Sequence, residues 1–307
     1  MLLNHFSAVT NTAEPGHAHF DFVDIKMNSD TKLFIDPSVI KVSKDPWCIE
    51  ANRIIDSYFD KFYAAYRSGG DDEIRKLLIH AQEVPDTHLG YGGTFIGHGN
   101  TADGLMDKFS CLKTFITKID SISTASDLPV LIPNFDKDGL SDMITNIIRL
   151  QLYNFTKEQM MLLGKSPNST CSFYTWDVVR GDWAFIESAP SYTFGGRNVL
   201  LVPKRIVQKH YLYRAEHFFR QIILERMKQD AAYTDSSGKT QYPYKKELEA
   251  QINKPTETWK HDFIIDYAAQ FPNTLLEYHK RTPEFYSGRT MTDEELDSAV
   301  YGNNIHS

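Results

Sequence analysis

Apolar residues recur at spacings of three and four over residues 47–66, which predicts the clearest helix of the chain. Asp45 and Pro46 precede this run, and an aspartate cap followed by proline is typical of a helix start. The glycine pair at 69–70 predicts where the helix ends, because glycine readily takes the conformation that closes a helix.

Weaker patterns predict the remaining elements. Helical spacing is found at 72–81, 101–119, 140–152, 211–233, 244–253, 257–271 and 273–281, with a further helix opening at Thr156. Alternating or compact apolar runs predict strands at 19–27, 32–35, 130–132, 172–179, 183–186 and 198–202. These elements predict an α/β (mixed α+β) body over residues 1–234, compatible with a restriction-endonuclease-like fold, and a small helical C-terminal region over residues 235–307.

Composition and charge narrow the class of protein. The 307 residues include 33 Lys and Arg against 40 Asp and Glu, a net charge of −7, so the overall field repels nucleic acid and any such ligand must meet a local basic face. The three cysteines are widely spaced and predict reduced thiols rather than a disulfide framework. No apolar run is long enough to span a membrane and no signal peptide is recognisable, which predicts a cytoplasmic protein without a membrane partner.

An acidic cluster is the most informative candidate site. Asp136, Asp138 and Asp142 follow the predicted strand at 130–132 and begin the next predicted helix. Carboxylates within seven residues can share a hard cation, so the cluster predicts a site for Mg²⁺ or Mn²⁺. The alternative is that these acids only cap the helix and complement its dipole.

Three further residues extend this candidate site. Lys204 ends the predicted strand at 198–202, where an ammonium group would stabilise negative charge developing at phosphorus. The usual Glu-x-Lys spacing is missing, so Glu83 or Glu187 must supply an additional carboxylate through the fold. A solvated lysine at a strand end is the alternative interpretation.

Two other features have both a functional and a structural interpretation. The glycine-rich stretch at 83–100 lets backbone N–H groups approach phosphate, but it equally fits a loop or lid, and it is not a Walker motif. Trp176 and Trp183 lie in the predicted strand region, where they would either stack a base or pack in the core.

Four segments together resemble an uncharacterised family of bacterial proteins found near phage-defence and mobile-element loci. They are Leu33–Pro37 (LFIDP), Thr87–Gly92 (THLGYG), Asp138–Ile148 (DGLSDMITNII) and Leu200–Lys204 (LLVPK). The likeness extends from about residue 20 to residue 280 and implies a bacterial cytosolic protein, the effector of a multi-component immune system. It implies no established reaction. The residues that match its motifs are Asp138, Ser141, Asp142, Asn146 and Lys204.

The leading hypothesis is a metal-dependent nuclease or phosphodiesterase that acts on DNA or RNA in bacterial antiviral defence. Its predicted catalytic residues are Asp138, Asp142, Lys204, Glu83 and Glu187, and its predicted metal ligands are Asp136, Asp138 and Asp142. The main alternative is a non-catalytic sensor or adaptor subunit that binds a partner protein in a defence complex. A third hypothesis is an enzyme that depletes a nucleotide metabolite.

Overall fold

A computed structural model describes residues 5–7, 16–82, 85–91, 101–286 and 290–302. The predicted mixture of α and β structure is confirmed, and most of the regular structure is helical. The α-helices are α1 (Pro37–Val42), α2 (Pro46–Ser68), α3 (Asp71–Leu78), α4 (Ala102–Phe109), α5 (Leu112–Phe115), α6 (Leu128–Leu131), α7 (Lys137–Ile147), α8 (Arg149–Leu162), α9 (Ala215–Phe218), α10 (Leu224–Asp230), α11 (Lys245–Ile252), α12 (Trp259–Gln270), α13 (Asn273–Tyr286) and α14 (Asp293–Val300).

The strands of the described residues form small antiparallel sheets of two strands each. They are β1 (Phe34–Ile35), β2 (Ser169–Asp177), β3 (Asp182–Ser191), β4 (Thr193–Phe194), β5 (Arg197–Asn198), β6 (Val207–Gln208), β7 (Tyr233–Thr234) and β8 (Thr240–Gln241). The pairs are β1 with β6, β2 with β3, β4 with β5 and β7 with β8. Among these pairs, β1–β6 joins distant parts of the chain, and it aligns Ile35 with Val207.

Helix α2 has the start, the end and the buried face that the sequence predicts. The Asp45 carboxylate accepts a hydrogen bond from Cys48 N at 3.2 Å, and Gly69 takes the left-handed conformation with φ of 75°. The predicted apolar face is buried, with Phe59 and Phe62 fully removed from solvent. The helix is therefore specified by local signals and by its packing against the core.

The predicted strand at 130–132 is wrong, because residues 128–131 form the short helix α6. The backbone N–H groups of Ser123 and Thr124 donate to Asp127 Oδ2 at 2.9 and 2.8 Å, and Pro129 occupies the first turn. Asp127 therefore closes a capping box with Thr124 around the 3₁₀ turn Ala125–Asp127, and the proline in the first turn of α6 continues that turn into a helix despite the β propensity of the residues behind it. The acidic cluster therefore follows a helix and a turn, and not the end of a strand as the sequence predicts.

Other predicted elements are shorter than expected. The predicted helix at 101–119 is divided into α4 and α5, and the predicted helix at 211–233 begins at Ala215 and contains a π-helical turn, Phe219–Ile223, between α9 and α10. The predicted strand at 19–27 has only isolated bridges, such as that between Phe22 and Pro203. Of the predicted strand at 198–202, only Asn198 belongs to a described strand.

One hydrophobic core includes residues from the body and from the C-terminal helices. Leu248, Ile264, Tyr278 and Leu296 belong to the same buried cluster as Phe59 in α2. The division of the chain at residue 234 stays a prediction. No helix in the described part of the chain combines the length and apolar character needed to cross a membrane.

A buried polar network connects helix α14 to residues 16–24. His17 Nδ1 lies 2.6 Å from Asp297 Oδ1, and Tyr301 donates from its hydroxyl to Asp24 Oδ2 at 2.6 Å. Burial lowers the pKa of His17, which therefore stays neutral at pH 7 while donating to Asp297. The network holds α14 over residues 16–24.

Candidate functional site

Helix α7 positions the acidic cluster at its first turns. Asp136 is the cap residue, and its carboxylate accepts a hydrogen bond from Asp138 N at 3.1 Å. Asp138 and Asp142 follow one helical turn apart and are partly buried. Ser141, between them, accepts a hydrogen bond from Ile35 N at 3.0 Å, which fixes the helix against the end of β1.

The segment that contains Gly90 and Tyr91 lies directly against this helix. Tyr91 donates from its hydroxyl to Asp136 Oδ2 at 2.8 Å. A Cβ atom on Gly90 would lie 3.0 Å from Asp138 Oδ1, and the φ of Gly90 is 137°, a backbone conformation that favours glycine. Glycine is therefore required here, because a side chain would displace the Asp138 carboxylate.

Asp36 adds a buried carboxyl group at the end of β1. Its Oδ1 accepts hydrogen bonds from Ser38 N at 2.9 Å and Ser38 Oγ at 2.6 Å. Within the described part of the chain, its buried Oδ2 has no hydrogen-bond partner. Burial raises the pKa of Asp36 to about 6, although the bonds from Ser38 partly oppose the shift.

The Tyr211 side chain lies close enough to Asp36 and to the acidic cluster of α7 for their charges to act on it. Tyr211 donates from its hydroxyl to the backbone carbonyl of Ile35. Burial raises the pKa of Tyr211 well above its usual value, and nearby negative charges raise it further. Those charges belong to Asp36, Asp142, Asp136 and Asp138. The structure thus brings together residues from three of the four segments that carry the family resemblance.

A groove of about 320 Å³ opens beside the acidic cluster. Asp136, Lys137, His210 and Arg214 are among its lining residues. Desolvation lowers the pKa of Lys137, and Arg214 lowers it further, whereas Asp136 opposes the shift. Partial desolvation and the neighbouring Lys137 and Arg214 likewise lower the pKa of His210. The groove therefore combines carboxylates with a group of cations whose mutual repulsion an anion would relieve.

The donor set for a metal ion is incomplete. Among the described residues, no group of three or more His, Cys, Asp and Glu side chains is arranged to hold a metal. The predicted ligands Asp136, Asp138 and Asp142 therefore offer carboxylates in one region without a closed set of protein ligands. The site for Mg²⁺ or Mn²⁺ therefore stays a prediction.

Lys204 is engaged away from the carboxylates of α7. Its Nζ donates to the His17 carbonyl at 2.7 Å and forms an ion pair of 2.7 Å with Asp293 at the start of α14. Lys204 also lies in a short 3₁₀ turn, Lys204–Ile206, and not at the end of a regular strand. Through these contacts Lys204 connects helix α14 to residues 16–24.

The other predicted residues also differ in their positions. Glu187 is exposed on β3, and Glu83 lies outside the described residues. Trp176 is buried and donates to Ser57 Oγ at 3.2 Å, while Trp183 donates to the Leu77 carbonyl at 3.0 Å. Both indoles contact Tyr58, and the burial of Trp176 supports the core-packing interpretation for that residue. Trp183 is half-buried, and its role in base stacking stays a prediction.

Three residues of this region, Asp36, Lys137 and Tyr211, have no role predicted from the sequence. Asp36 lies inside the LFIDP segment and Lys137 inside the acidic cluster, so the sequence contains a signal for both. Tyr211 has no such signal. Its position follows from the β1–β6 pairing, which brings residues near 35 and near 207 together.

The comparisons with known proteins identify a family without an assigned activity. Comparison with curated proteins and with solved structures gives no match. One family model matches residues 13–214, about two thirds of the chain, and this range contains β1, α7, Tyr91 and Arg214. The chain therefore belongs to the family described as "Domain of unknown function (DUF8370)".

Proposed function

We propose that this protein is a metal-dependent phosphodiesterase that hydrolyses nucleic acid at the acidic cluster of α7. The observation that carries the proposal is that Asp136 lines a groove together with Lys137 and Arg214. Asp138 and Asp142 follow on the same helix, and their charges act on Tyr211 in the wall of that groove. Carboxylates that attract a divalent cation and cations that attract a phosphate are the two requirements for hydrolysing a phosphodiester. Both lie within the residues that match the family model.

The proposed division of labour follows from the position of each group. Asp138 and Asp142 would hold a divalent cation, which would supply Lewis acidity and activate a water molecule. Lys137 faces the phosphate and stabilises the negative charge that develops on its oxygens. Asp136 accepts the Tyr91 hydrogen bond and caps α7, so its main role is to position the helix. In this proposal Lys204 is a structural residue, because its ammonium is engaged with Asp293.

The buried oxygen of Asp36 supports a cation in this region. A buried carboxylate oxygen without a partner is costly, and a positive charge nearby would reduce that cost. A bound divalent cation should therefore stabilise the folded protein in proportion to site occupancy. This response can be measured without any substrate.

The experiment pairs a binding measurement with an activity measurement. Purified wild-type protein should gain thermal stability with Mn²⁺ or Mg²⁺ and cleave labelled DNA or RNA. Asp142→Asn should lose both effects while remaining folded by circular dichroism. Asp107→Asn, on the exposed surface of α4, is the matched control and should retain both. No metal response and no cleavage by the wild type, across metals and nucleic acids, would overturn the proposal.

A non-catalytic sensor or adaptor is the second candidate function, and one observation favours it. The described residues contain no group of three metal-binding side chains, so the acids can be explained as helix caps. An adaptor would show no metal-dependent stabilisation, whereas the proposed enzyme would. The thermal-shift measurement therefore separates the two functions.

The restriction-endonuclease-like core and the role in bacterial antiviral defence belong to this proposal as well. The first is supported by carboxylates that lie beside a strand end, where Asp36 follows β1. The second is supported by the resemblance of four sequence segments to proteins from phage-defence loci. Expression in a phage-challenged bacterium, with whatever partner genes accompany it, should give protection that Asp142→Asn abolishes.

A further inference from the structure

We infer that the groove beside α7 selects an unpaired nucleic-acid strand, with a phosphate on Lys137 and Arg214 and a base stacked on Tyr91. This inference rests on the proposed function and names its substrate class. It depends on the chemistry of the groove wall and does not depend on which metal is bound.

The cations of the groove are available for a phosphate. Arg214 and His210 are exposed, and within the described ranges neither forms an ion pair. Lys137 reaches the groove from the first turn of α7, where its Nζ also donates to the Lys209 carbonyl. The lining also contains two carboxylates, but Glu216 is paired with Lys260 at 2.5 Å and Asp136 accepts the Tyr91 hydrogen bond. The cationic groups therefore give this side of the groove a local basic character on a chain whose net charge is −7. A phosphate diester is the ligand that such a site attracts.

Tyr91 provides an exposed aromatic surface at the rim of the same groove. Its side chain is 46% exposed, and its ring lies 5.0 Å from the buried ring of Phe34. The Lys137 ammonium lies 4.2 Å from the Phe34 ring centroid and 5.4 Å from that of Tyr91. The tyrosine is thus held in place from one side while much of its ring remains open to a ligand. Tyr211 and Tyr213 also line the groove but are buried, so Tyr91 is suited to stacking and they are not.

The position of Tyr91 relates base binding to the proposed reaction centre. Its hydroxyl is bonded to Asp136, and the preceding Gly90 lies so close to Asp138 that a Cβ atom there would be 3.0 Å from Oδ1. A base on this ring therefore places the neighbouring phosphate near the carboxylates. A base can stack on a protein side chain only when it is free of its neighbour in the duplex. The groove volume of about 320 Å³ also suits a single nucleotide better than the width of a double helix. Both features favour an unpaired strand.

The test measures binding in EDTA, where hydrolysis is excluded, by fluorescence anisotropy of a labelled single-stranded oligonucleotide and of its duplex. The wild type should bind the single strand more tightly. Tyr91→Leu should weaken single-strand binding roughly fivefold to 100-fold and leave duplex binding unchanged. Tyr91→Phe should bind like the wild type, because it retains the ring and loses only the bond to Asp136. This variant separates stacking from positioning.

The phosphate contact has its own variant and control. Arg214→Gln should weaken binding and reduce the salt dependence of affinity by about one ion. Arg180→Gln is the matched control, since Arg180 is exposed in the turn between β2 and β3, outside the groove. Equal binding of single strand and duplex, or unchanged single-strand affinity in Tyr91→Leu, would overturn the inference.

Failure of the inference and failure of the proposed function give different results. A protein that binds single strands through Tyr91 but cleaves nothing with any metal supports the inference and refutes the hydrolytic proposal. A protein that cleaves in a manner dependent on Asp142, without preference for unpaired strands, gives the opposite conclusion. Where the inference holds, Asp142→Asn should retain strand binding in EDTA, because the binding groups are Tyr91, Lys137 and Arg214.

Discussion

Replacing Asp36 by asparagine should make the protein more stable at neutral pH and change how its stability depends on pH. Asparagine is a good helix cap, so the bonds that Ser38 donates to Oδ1 can be retained. The substitution removes the charge that burial disfavours. Charge removal, and not a change in shape, is therefore the main perturbation.

The magnitude follows from the pKa of Asp36. Its usual value is 3.8 and burial raises it to about 6 in the folded protein, a difference of about two units. Each unit corresponds to about 1.4 kcal/mol, so ionised Asp36 destabilises the folded state by about 3 kcal/mol at neutral pH. The penalty is absent below the unfolded pKa, because the group is then protonated in both states.

The sign of the pH dependence is fixed by which state binds more protons. Between pH 3.8 and about 6 the folded state retains the Asp36 proton while the unfolded state releases it, so stability from this group falls as pH rises. Urea unfolding of the wild type and Asp36→Asn, in EDTA across this range, gives the difference in the free energy of unfolding. That difference should increase by about 2–3 kcal/mol in favour of the variant from about pH 4 to about pH 7.5.

The comparison between proteins is essential because other buried groups act in the opposite direction. Burial lowers the pKa of His17 and His88, so these groups contribute stability that is present above pH 6.5 and is lost as pH falls through their lower pKa in the folded protein. Subtracting the two curves removes their contribution. Asp36→Ser, a second uncharged cap, should show the same pH dependence with a different constant offset. A difference that stays flat across this pH range in both variants would refute the reasoning.

Three other substitutions test the packing and contacts described above. Gly90→Ala should destabilise the protein by roughly 1–3 kcal/mol in urea unfolding, whereas Gly196→Ala, at a φ of 78° with no atom within 4 Å, should show a smaller loss from backbone strain alone. Lys204→Ala and Asp293→Asn should each lower the free energy of unfolding by about 1 kcal/mol and show coupling in a double-mutant cycle. Both variants should leave any nuclease activity of the folded protein intact. Loss of activity without loss of stability would support a catalytic role for the lysine. Trp183→Phe removes the indole donor to a backbone carbonyl and should cost about 1 kcal/mol, and an unchanged urea midpoint would contradict that role.

Elements specified by neighbouring residues were predictable from the sequence. Helix α2 has an aspartate cap, a proline in its first turn, a regular apolar face and a glycine end, all within one segment. Strands were also predicted within β2 and β3, though not their pairing, because both are long enough for their residue pattern to be read. The acidic cluster of α7 was found for the same reason, since its three carboxylates lie within seven residues.

The remainder of the site depends on contacts between distant residues. Strands β1 and β6 have two residues each, too few to show a period, yet their pairing brings Asp36 and Tyr211 together. Lys204 is a predicted catalytic residue because it follows an apolar run, but an apolar run does not specify where the lysine that follows it will point. Lys137 was within the acidic segment from the start, and only the groove shows that it faces the same space as Arg214.

The contacts between α14 and residues 16–24 have a practical consequence for studying fragments of this protein. A fragment limited to the family match, residues 13–214, would lose the partners of His17 and Lys204. It would also expose the apolar surface that Ile264 in α12 and Leu296 in α14 help to bury. Such a fragment should aggregate when expressed alone. Biochemical assays therefore need the C-terminal helices even when the reaction under study takes place entirely within the shared family region.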